Sequence, residues 1–284
     1  MSAEVLNQII DILLKTYIIC VMFSMGLTLT TEQIASQIKR TGLMLKALLA
    51  NIIIVPLAAA ILLQLSSQPN PVVVAIVLVA CAPGYAPMLT AWSKGDLAFT
   101  AVLMFVLAVV SVVTLPLTAS LLLASLGGNI SLDPMSVIGT LVTLQLIPLL
   151  LGMLVNGWRA ELAARLVPIF STIARIAVVL SLGTILILGF DQITSSIWSA
   201  LLLMLGLALV ALFSGYLLGG PGGDTKRTLA LNTVVRNLGL ALLVASSQFP
   251  GLGAEMVVIA FAFVMYAVAA VATYSWYKEF LKPI

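Results

Sequence analysis

Arg236 is the residue whose chemistry most constrains this chain. It lies in the run Leu231-Asn-Thr-Val-Val-Arg-Asn-Leu-Gly239, inside a helix-forming stretch, 225–247, that holds no carboxylate and is bounded by apolar runs. An ionisable side chain at membrane depth costs roughly 2.5–3.5 kcal/mol on insertion scales, so it faces a cavity or a partner rather than lipid. A guanidinium there offers anion recognition, through a planar fork of five donors with a fixed positive charge. Asn232, Thr233 and Asn237 add uncharged hydrogen-bonding groups beside it. A second interruption is Cys81-Ala-Pro-Gly-Tyr-Ala-Pro-Met88. Pro83 and Pro87 each remove a backbone donor, and Gly84 frees the turn. Tyr85, Ala86, Pro87 and Thr90 flank this break, and a helix restarting near Pro87 presents free amides to an anion.

Each of these residues also has a structural reading. Arg236 can hydrogen-bond carbonyls freed by broken helices, and its five donors allow it to do that and bind an anion. Asn232, Thr233 and Asn237 can serve helix–helix packing. Pro87 can simply kink a helix. Ser24, Asn51, Thr100, Ser111 and Thr114 are weaker candidates, because a lone hydroxyl in a membrane helix usually bonds a carbonyl of its own preceding turn. Asp96, beside Lys94, reads as a helix start.

What is missing narrows the chemistry. The chain has no histidine and two cysteines, Cys20 and Cys81, both in apolar stretches and expected to be buried free thiols. No Cys/His cluster suggests a metal site, and no cofactor is expected. No nucleophile–base set supports an intramembrane enzyme. No repeated filter motif supports a channel, and no Gly-x-x-x-x-Gly-Lys loop supports ATP-driven transport.

The elements that must position these residues are membrane helices. Of 284 residues, 62% are hydrophobic and 8% charged, more apolar surface than one soluble core could bury. Apolar segments recur at 8–29, 42–64, 72–92, 97–124, 135–156, 166–190, 196–218, 226–248 and 254–276, which predicts an all-α membrane protein with nine transmembrane helices. Its setting is expected to be the inner (plasma) membrane of the cell. Its partners are expected to be lipids and a small organic anion, not nucleic acid, because the basic residues collect at span ends. Lys39, Arg40, Lys46, Lys94, Arg159, Arg165, Lys226, Arg227, Lys278 and Lys282 fall on one side, and Arg175 can snorkel toward it. The positive-inside rule then puts the N-terminus outside and the C-terminus in the cytoplasm. Trp158, Trp198, Tyr274, Trp276 and Tyr277 are expected interfacial anchors. The two interrupted spans, the third and the eighth, are five apart and so run in opposite senses. Such a pair is the sequence pointer to a transporter binding site between inverted halves.

At these segments the chain resembles the bile acid:sodium symporter family, within the wider bile/arsenite/riboflavin transporter group. Phe23-Ser-Met-Gly-Leu-Thr-Leu29, Cys81-Ala-Pro-Gly followed by Lys94-Gly-Asp96, and Asn232-Thr-Val-Val-Arg-Asn-Leu-Gly-Leu-Ala241 carry the likeness. Their order and spacing extend it over essentially the whole chain, in the family's nine-helix form. The resemblance implies an inverted repeat with two broken crossing helices, a panel (8–29, 135–190) and a core (42–124, 196–276). It also implies substrate in the cleft between them and alternating access. On this reading Arg236, Asn232, Thr233, Asn237, Tyr85, Ala86, Pro87 and Thr90 are the substrate-binding candidates.

The departures from the family pattern concern sodium. A Ser-Asn pair that helps bind one ion is Ala86 and Pro87 here. Two hydroxyl positions on the next helix are Thr100 and Met104. The glutamate shared by both ion sites is Asn232, and two second-site glutamines are Asn51 and Arg236. Asn51, Thr100 and Asn232 are thus remnants of ion sites. All ten acidic residues fall at predicted span ends or in loops, so no carboxylate is expected at depth to hold a cation. A guanidinium in the site repels one, by roughly 4 kcal/mol at ~4 Å for an effective dielectric of about 20. Sodium coupling is therefore not expected of this organic-anion transporter, and the alternative reading is a sodium-coupled organic anion (bile acid-like) symporter with rearranged ion ligands. Arg236 is left to bind an anion or to stand in for sodium in locking the crossover.

Overall fold

A computed structural model describes residues 3–84, 86–126, 130–189 and 195–280. Its α-helices in chain order are α1 (Ala3–Thr28), α2 (Thr31–Ile38), α3 (Thr41–Leu48), α4 (Val55–Gln64), α5 (Asn70–Cys81), α6 (Pro87–Trp92) and α7 (Leu97–Ser125). There follow α8 (Pro134–Leu141), α9 (Ile147–Trp158), α10 (Ala160–Gly189), α11 (Ser195–Leu218), α12 (Gly223–Val234), α13 (Leu238–Gln248) and α14 (Ala254–Phe280). Among the described residues, seven helices are long and apolar enough to cross a membrane, counting α3–α4 and α8–α9 as one each. Two more apolar helices, α5 and α13, are too short to cross alone. The expected third and eighth spans are each two short helices about a break, α5–α6 and α12–α13.

Proline explains two of the irregularities. The α3–α4 helix is continuous but passes through a π-turn, Leu49–Ile54, just before Pro56. The α8–α9 helix repeats the device, with a π-turn at Val142–Leu146 before Pro148. Proline cannot donate to the preceding turn and its ring crowds that carbonyl, so the backbone widens by one residue. Each π-turn carries one buried amide side chain, Asn51 and Gln145 respectively.

A short amphipathic helix, α2, which the span pattern does not show, joins α1 to α3. A reciprocal cap between Thr30 and Gln33 starts it. Arg40 at its far end bonds Asp96 at 2.5 Å and lies 5.2 Å from the Phe99 ring centroid. Asp96 also accepts from the Phe99 N–H at 2.9 Å, so it caps α7 as its sequence position implied.

α1 packs chiefly against α9 and α10, while α11 packs against α12 and α14, and α14 against α5. At the α1–α9 crossing two glycines face each other. A Cβ on Gly26 would lie 2.1 Å from the Leu149 carbonyl oxygen, and one on Gly152 would lie 2.3 Å from that of Phe23. The backbones touch, so no side chain fits. Gly152→Leu is expected to force α1 and α9 apart. Overpacking of this kind costs about 1–3 kcal/mol, and a melting temperature in detergent equal to that of the parent would contradict the reading.

Of the anticipated interfacial aromatics, Trp158, Tyr274 and Tyr277 are exposed at helix ends. Trp276 instead stacks on Tyr216, with ring centroids 5.9 Å apart. The side chain of Trp198 lies outside the described residues. Cys20 and Cys81 are buried free thiols.

Candidate functional site: two breaks stapled by an arginine

The breaks in α5–α6 and α12–α13 meet. Gly84 and Arg236 form an isolated antiparallel bridge, and the Asn237 N–H donates to the Pro83 carbonyl at 3.1 Å. A Cβ on Gly84 would fall 1.6 Å from the Asn232 carbonyl oxygen, so only glycine permits this crossing.

Arg236 is buried, with all five N–H donors engaged. Nε donates to the Val79 carbonyl at 3.2 Å. Nη1 donates to Asn51 Oδ1 at 2.7 Å and to the Thr233 carbonyl at 3.2 Å. Nη2 donates to the Ala80 carbonyl at 2.6 Å and to the Asn51 carbonyl at 3.2 Å. Each of these four carbonyls has lost its i+4 helical donor, although the Val79 carbonyl still accepts from the Ala82 N–H at 3.2 Å. The residue four after Val79 is Pro83, which has no N–H; four after Ala80 is Gly84, already outside the helix. Four after Thr233 is Asn237, whose N–H goes to Pro83. The Val55 N–H goes to Ala50 in the π-turn, and the next residue, Pro56, has none, which leaves Asn51 without a donor. Carbonyls freed at helix ends need partners, and one guanidinium reaches all four. The charge sits in a cage of five oxygens, none from a carboxylate.

Asn232 organises the other side of the crossing. Its Nδ2 donates to the Thr228 carbonyl at 2.9 Å and approaches Thr90 Oγ1 and Thr100 Oγ1 at 3.3 Å each. Its Oδ1 accepts from the Ala86 N–H at 3.3 Å. Thr233 Oγ1 bonds the Leu229 carbonyl at 2.7 Å and accepts from Asn51 Nδ2 at 3.3 Å. Thr90 and Thr100 also return their hydroxyls to the Ala86 and Asp96 carbonyls. Pro87 opens α6 with Ala86 as its cap residue. Asn51, Ala86, Thr90, Thr100, Asn232, Thr233 and Arg236 thus form one buried cluster, and Met104 is buried nearby on α7. Tyr85 lies outside the described residues.

Asn237 is placed differently. Its Oδ1 caps α13 by accepting from the Leu240 N–H at 3.1 Å. It also lines a cavity of about 520 Å³ between α1 and α10 on one side and α13 and α14 on the other. Leu182, Leu186, Phe263 and Tyr266 supply much of the wall, and the edge of Arg236 reaches it. The residues involved put this cavity in the half of the molecule away from the basic loops. Tyr17 closes its inner end: a Cβ on Gly239 would lie 2.0 Å from Tyr17 Cε1. Nothing in the sequence marks Tyr17, because its role arises only where α1 meets α13.

The weaker candidates scatter. Thr114 bonds its own helix at Val110, as a lone hydroxyl does. Ser24 instead meets Ser171 on α10 at 2.7 Å. Ser111 bonds the Ala108 carbonyl and accepts from Gln145 Nε2 at 3.0 Å. Gln145 was not anticipated, although Pro148 downstream was a readable sign of an irregular turn.

The chain is 24% identical over 233 residues to the "Probable sodium/metabolite cotransporter BASS1, chloroplastic" of Oryza sativa subsp. japonica, covering 80% of this chain and 57% of that protein. It is 26% identical over 242 residues to the corresponding BASS3 of Arabidopsis thaliana, covering 81% and 54%. The chain therefore spans little more than half the length of the curated relatives it matches. Residues 16–196, well over half of the chain, match the model described as the Sodium Bile acid symporter family, and the chain belongs to that family.

Proposed function

We propose that the chain is a secondary active or facilitative transporter of an organic anion, working by alternating access. The observation that carries this reading is the apolar cavity between α1–α10 and α13–α14, which ends at the capped start of α13. Its volume of about 520 Å³ suits a small ligand, and the amides at a helix start favour a carboxylate or sulfonate. Asn237 is placed to orient that group. Family membership supports transport, and the crossed breaks support a nine-span inverted repeat. The moving bodies would be a panel, 8–29 with 135–190, and a core, 42–124 with 196–276.

In this reading Arg236 does not bind the substrate directly. It holds the crossover closed as a fixed cation where the family pattern expects a second sodium ion, so the anion needs no sodium to find a formed site. The printed names of the relatives, sodium/metabolite cotransporters, favour a second reading, a sodium-coupled symporter with rearranged ligands. A thermal-shift screen of organic anions in sodium and in potassium tests both. A ligand at 100 times its dissociation constant stabilises by about 2.7 kcal/mol. Stabilisation equal in the two salts supports the first reading. A tenfold gain in affinity with sodium, about 1.4 kcal/mol of coupling, supports the second. No stabilisation by any anion, together with no uptake into proteoliposomes, overturns the transporter reading.

The basic loops are placed in the cytoplasm and the N-terminus outside, so the cavity faces outward. Ser67 and Asp224 are exposed on opposite ends, whereas neighbouring Thr225 is buried. A cysteine at 67 is expected to react with an impermeant thiol reagent from outside and one at 224 only after permeabilisation. The reverse pattern would invert the orientation.

A further inference from the structure

The outward face of α10 carries Arg165 and Arg175, and Arg159 immediately precedes the helix; none of the three has a carboxylate partner among the described residues. Arg159 and Arg165 are both exposed and line one cavity of about 380 Å³ at the basic edge. Glu161 lines it too and disfavours an anion, but two guanidiniums against one carboxylate leave the cavity net positive. Arg175 lies ten residues further along the same helix, about 15 Å deeper at a rise of ~1.5 Å per residue. That is about half the thickness of a bilayer core, and Arg175 is exposed there. Its side chain bends back toward the basic edge, with Nε donating to the Ser171 carbonyl at 3.2 Å and Nη2 to Thr172 Oγ1 at 3.1 Å. Its remaining three N–H groups have no acceptor among the described residues. Water can solvate Arg159 and Arg165 directly, whereas an outward-facing guanidinium at the depth of Arg175 must reach up toward the headgroup layer, where lipid oxygens are the nearest acceptors beyond its own helix. Around this polar row the face is apolar: Trp158, Leu162, Ile169, Ile173 and Ile176 are all exposed.

We propose that this face is a binding site for an anionic glycerophospholipid. Its phosphate sits between Arg159 and Arg165. Arg175 holds the ester oxygens from below, and the acyl chains lie along the exposed isoleucines with Trp158 at the interface. Charge complementarity selects the occupant, since basic pockets at such an edge bind anionic headgroups, and the apolar rows demand acyl chains rather than a free phosphate. α10 packs against α1, so a lipid here would brace a helix that also walls the transport cavity.

Native mass spectrometry of the full chain in neutral detergent, titrated with phosphatidylglycerol and phosphatidylcholine, tests this. The parent is expected to retain phosphatidylglycerol about tenfold better, given the contribution of each basic residue near an anionic headgroup. Arg159→Gln with Arg165→Gln, both outside the apolar core, is expected to remain folded and lose most of that preference. Adding Arg175→Gln is expected to remove the rest. A preference that survives the triple change overturns the proposal, as does a parent with no preference. Displacement of the lipid by an equal concentration of glycerol phosphate would assign the site to a free phosphate instead. A change in oligomeric mass with unaltered lipid retention would assign the face to a second copy of the chain.

Discussion

Replacing Arg236 with alanine is expected to cost this protein its fold, not merely its ligand. The change removes a donor from four backbone carbonyls, of which only Val79 keeps another (the Ala82 N–H) among the described residues, and from Asn51 Oδ1, all at the crossing of two broken helices. A buried acceptor left unsatisfied costs about 1–3 kcal/mol. Water entering the vacated space can recover part of that, but the remainder is still several kcal/mol, against a total stability of about 5–15 kcal/mol. The melting temperature in detergent is expected to fall by about 10 °C or more, at roughly 2–4 °C per kcal/mol for a chain of this size. Arg236→Lys keeps the charge and up to three donors but loses the fork, so an intermediate loss is expected. Two other outcomes are informative. A folded Arg236→Ala protein that no longer binds any anion would move Arg236 from the lock to the substrate site. A stable Arg236→Ala protein with the parent's transport rate and affinity would sink both roles.

The parts of this site that were legible in the sequence are those fixed by covalent chemistry. Pro83 and Pro87 cannot donate in a helix, so a break near Gly84 could be read directly. An arginine in a stretch without carboxylates announced itself by its desolvation cost. The short polar motif Lys94-Gly-Asp96 was readable as a helix start because a carboxylate caps N–H groups wherever it occurs. The sequence did not reveal which acceptors Arg236 would take. They come from α5, α12 and the π-turn at 49–54, and that π-turn is set by how the chain relaxes around Pro56. Pro56 showed only that the helix would be irregular. Whether it kinks or widens depends on a partner for the freed Asn51 carbonyl, 185 residues away in sequence. Gln145 and Tyr17 were missed for the same reason. Both are ordinary residues on apolar helices until another helix arrives, with Ala108 and Ser111 facing Gln145 and Gly239 facing Tyr17. The amphipathic helix α2 was passed over because hydropathy registers spans, and eight residues lying along an edge do not make one.

Sodium dependence is expected to be installed by two substitutions, Asn232→Glu with Arg236→Gln. The oxygen cage is already built. Val79, Ala80, Thr233 and Asn51 direct four carbonyls and one amide oxygen at the guanidinium. Oxygens of this kind suit a hard cation once the fixed charge is removed. What the cage lacks is a carboxylate to balance an ion in a low-dielectric interior. Asn232 lies on α12, one turn before Arg236, and its amide already fills the space between Thr90 and Thr100. A glutamate there is one methylene longer and can turn toward the vacated cage, while the glutamine restores one amide oxygen. The parent is expected to melt at the same temperature in sodium and in potassium at equal ionic strength. The double variant is expected to melt lower than the parent in potassium and to recover in sodium. At a sodium concentration ten times the site's dissociation constant the recovery is about 1.4 kcal/mol, or roughly 3–6 °C. Arg236→Gln alone is the control. It keeps the cage but lacks the counter-charge, so its recovery in sodium is expected to be smaller. A double variant that folds and melts identically in both salts would show that the cage is too tightly closed around its own carbonyls to admit an ion. A parent already stabilised by sodium would show that the ion binds elsewhere, and Arg236 would then be a structural staple without a part in coupling.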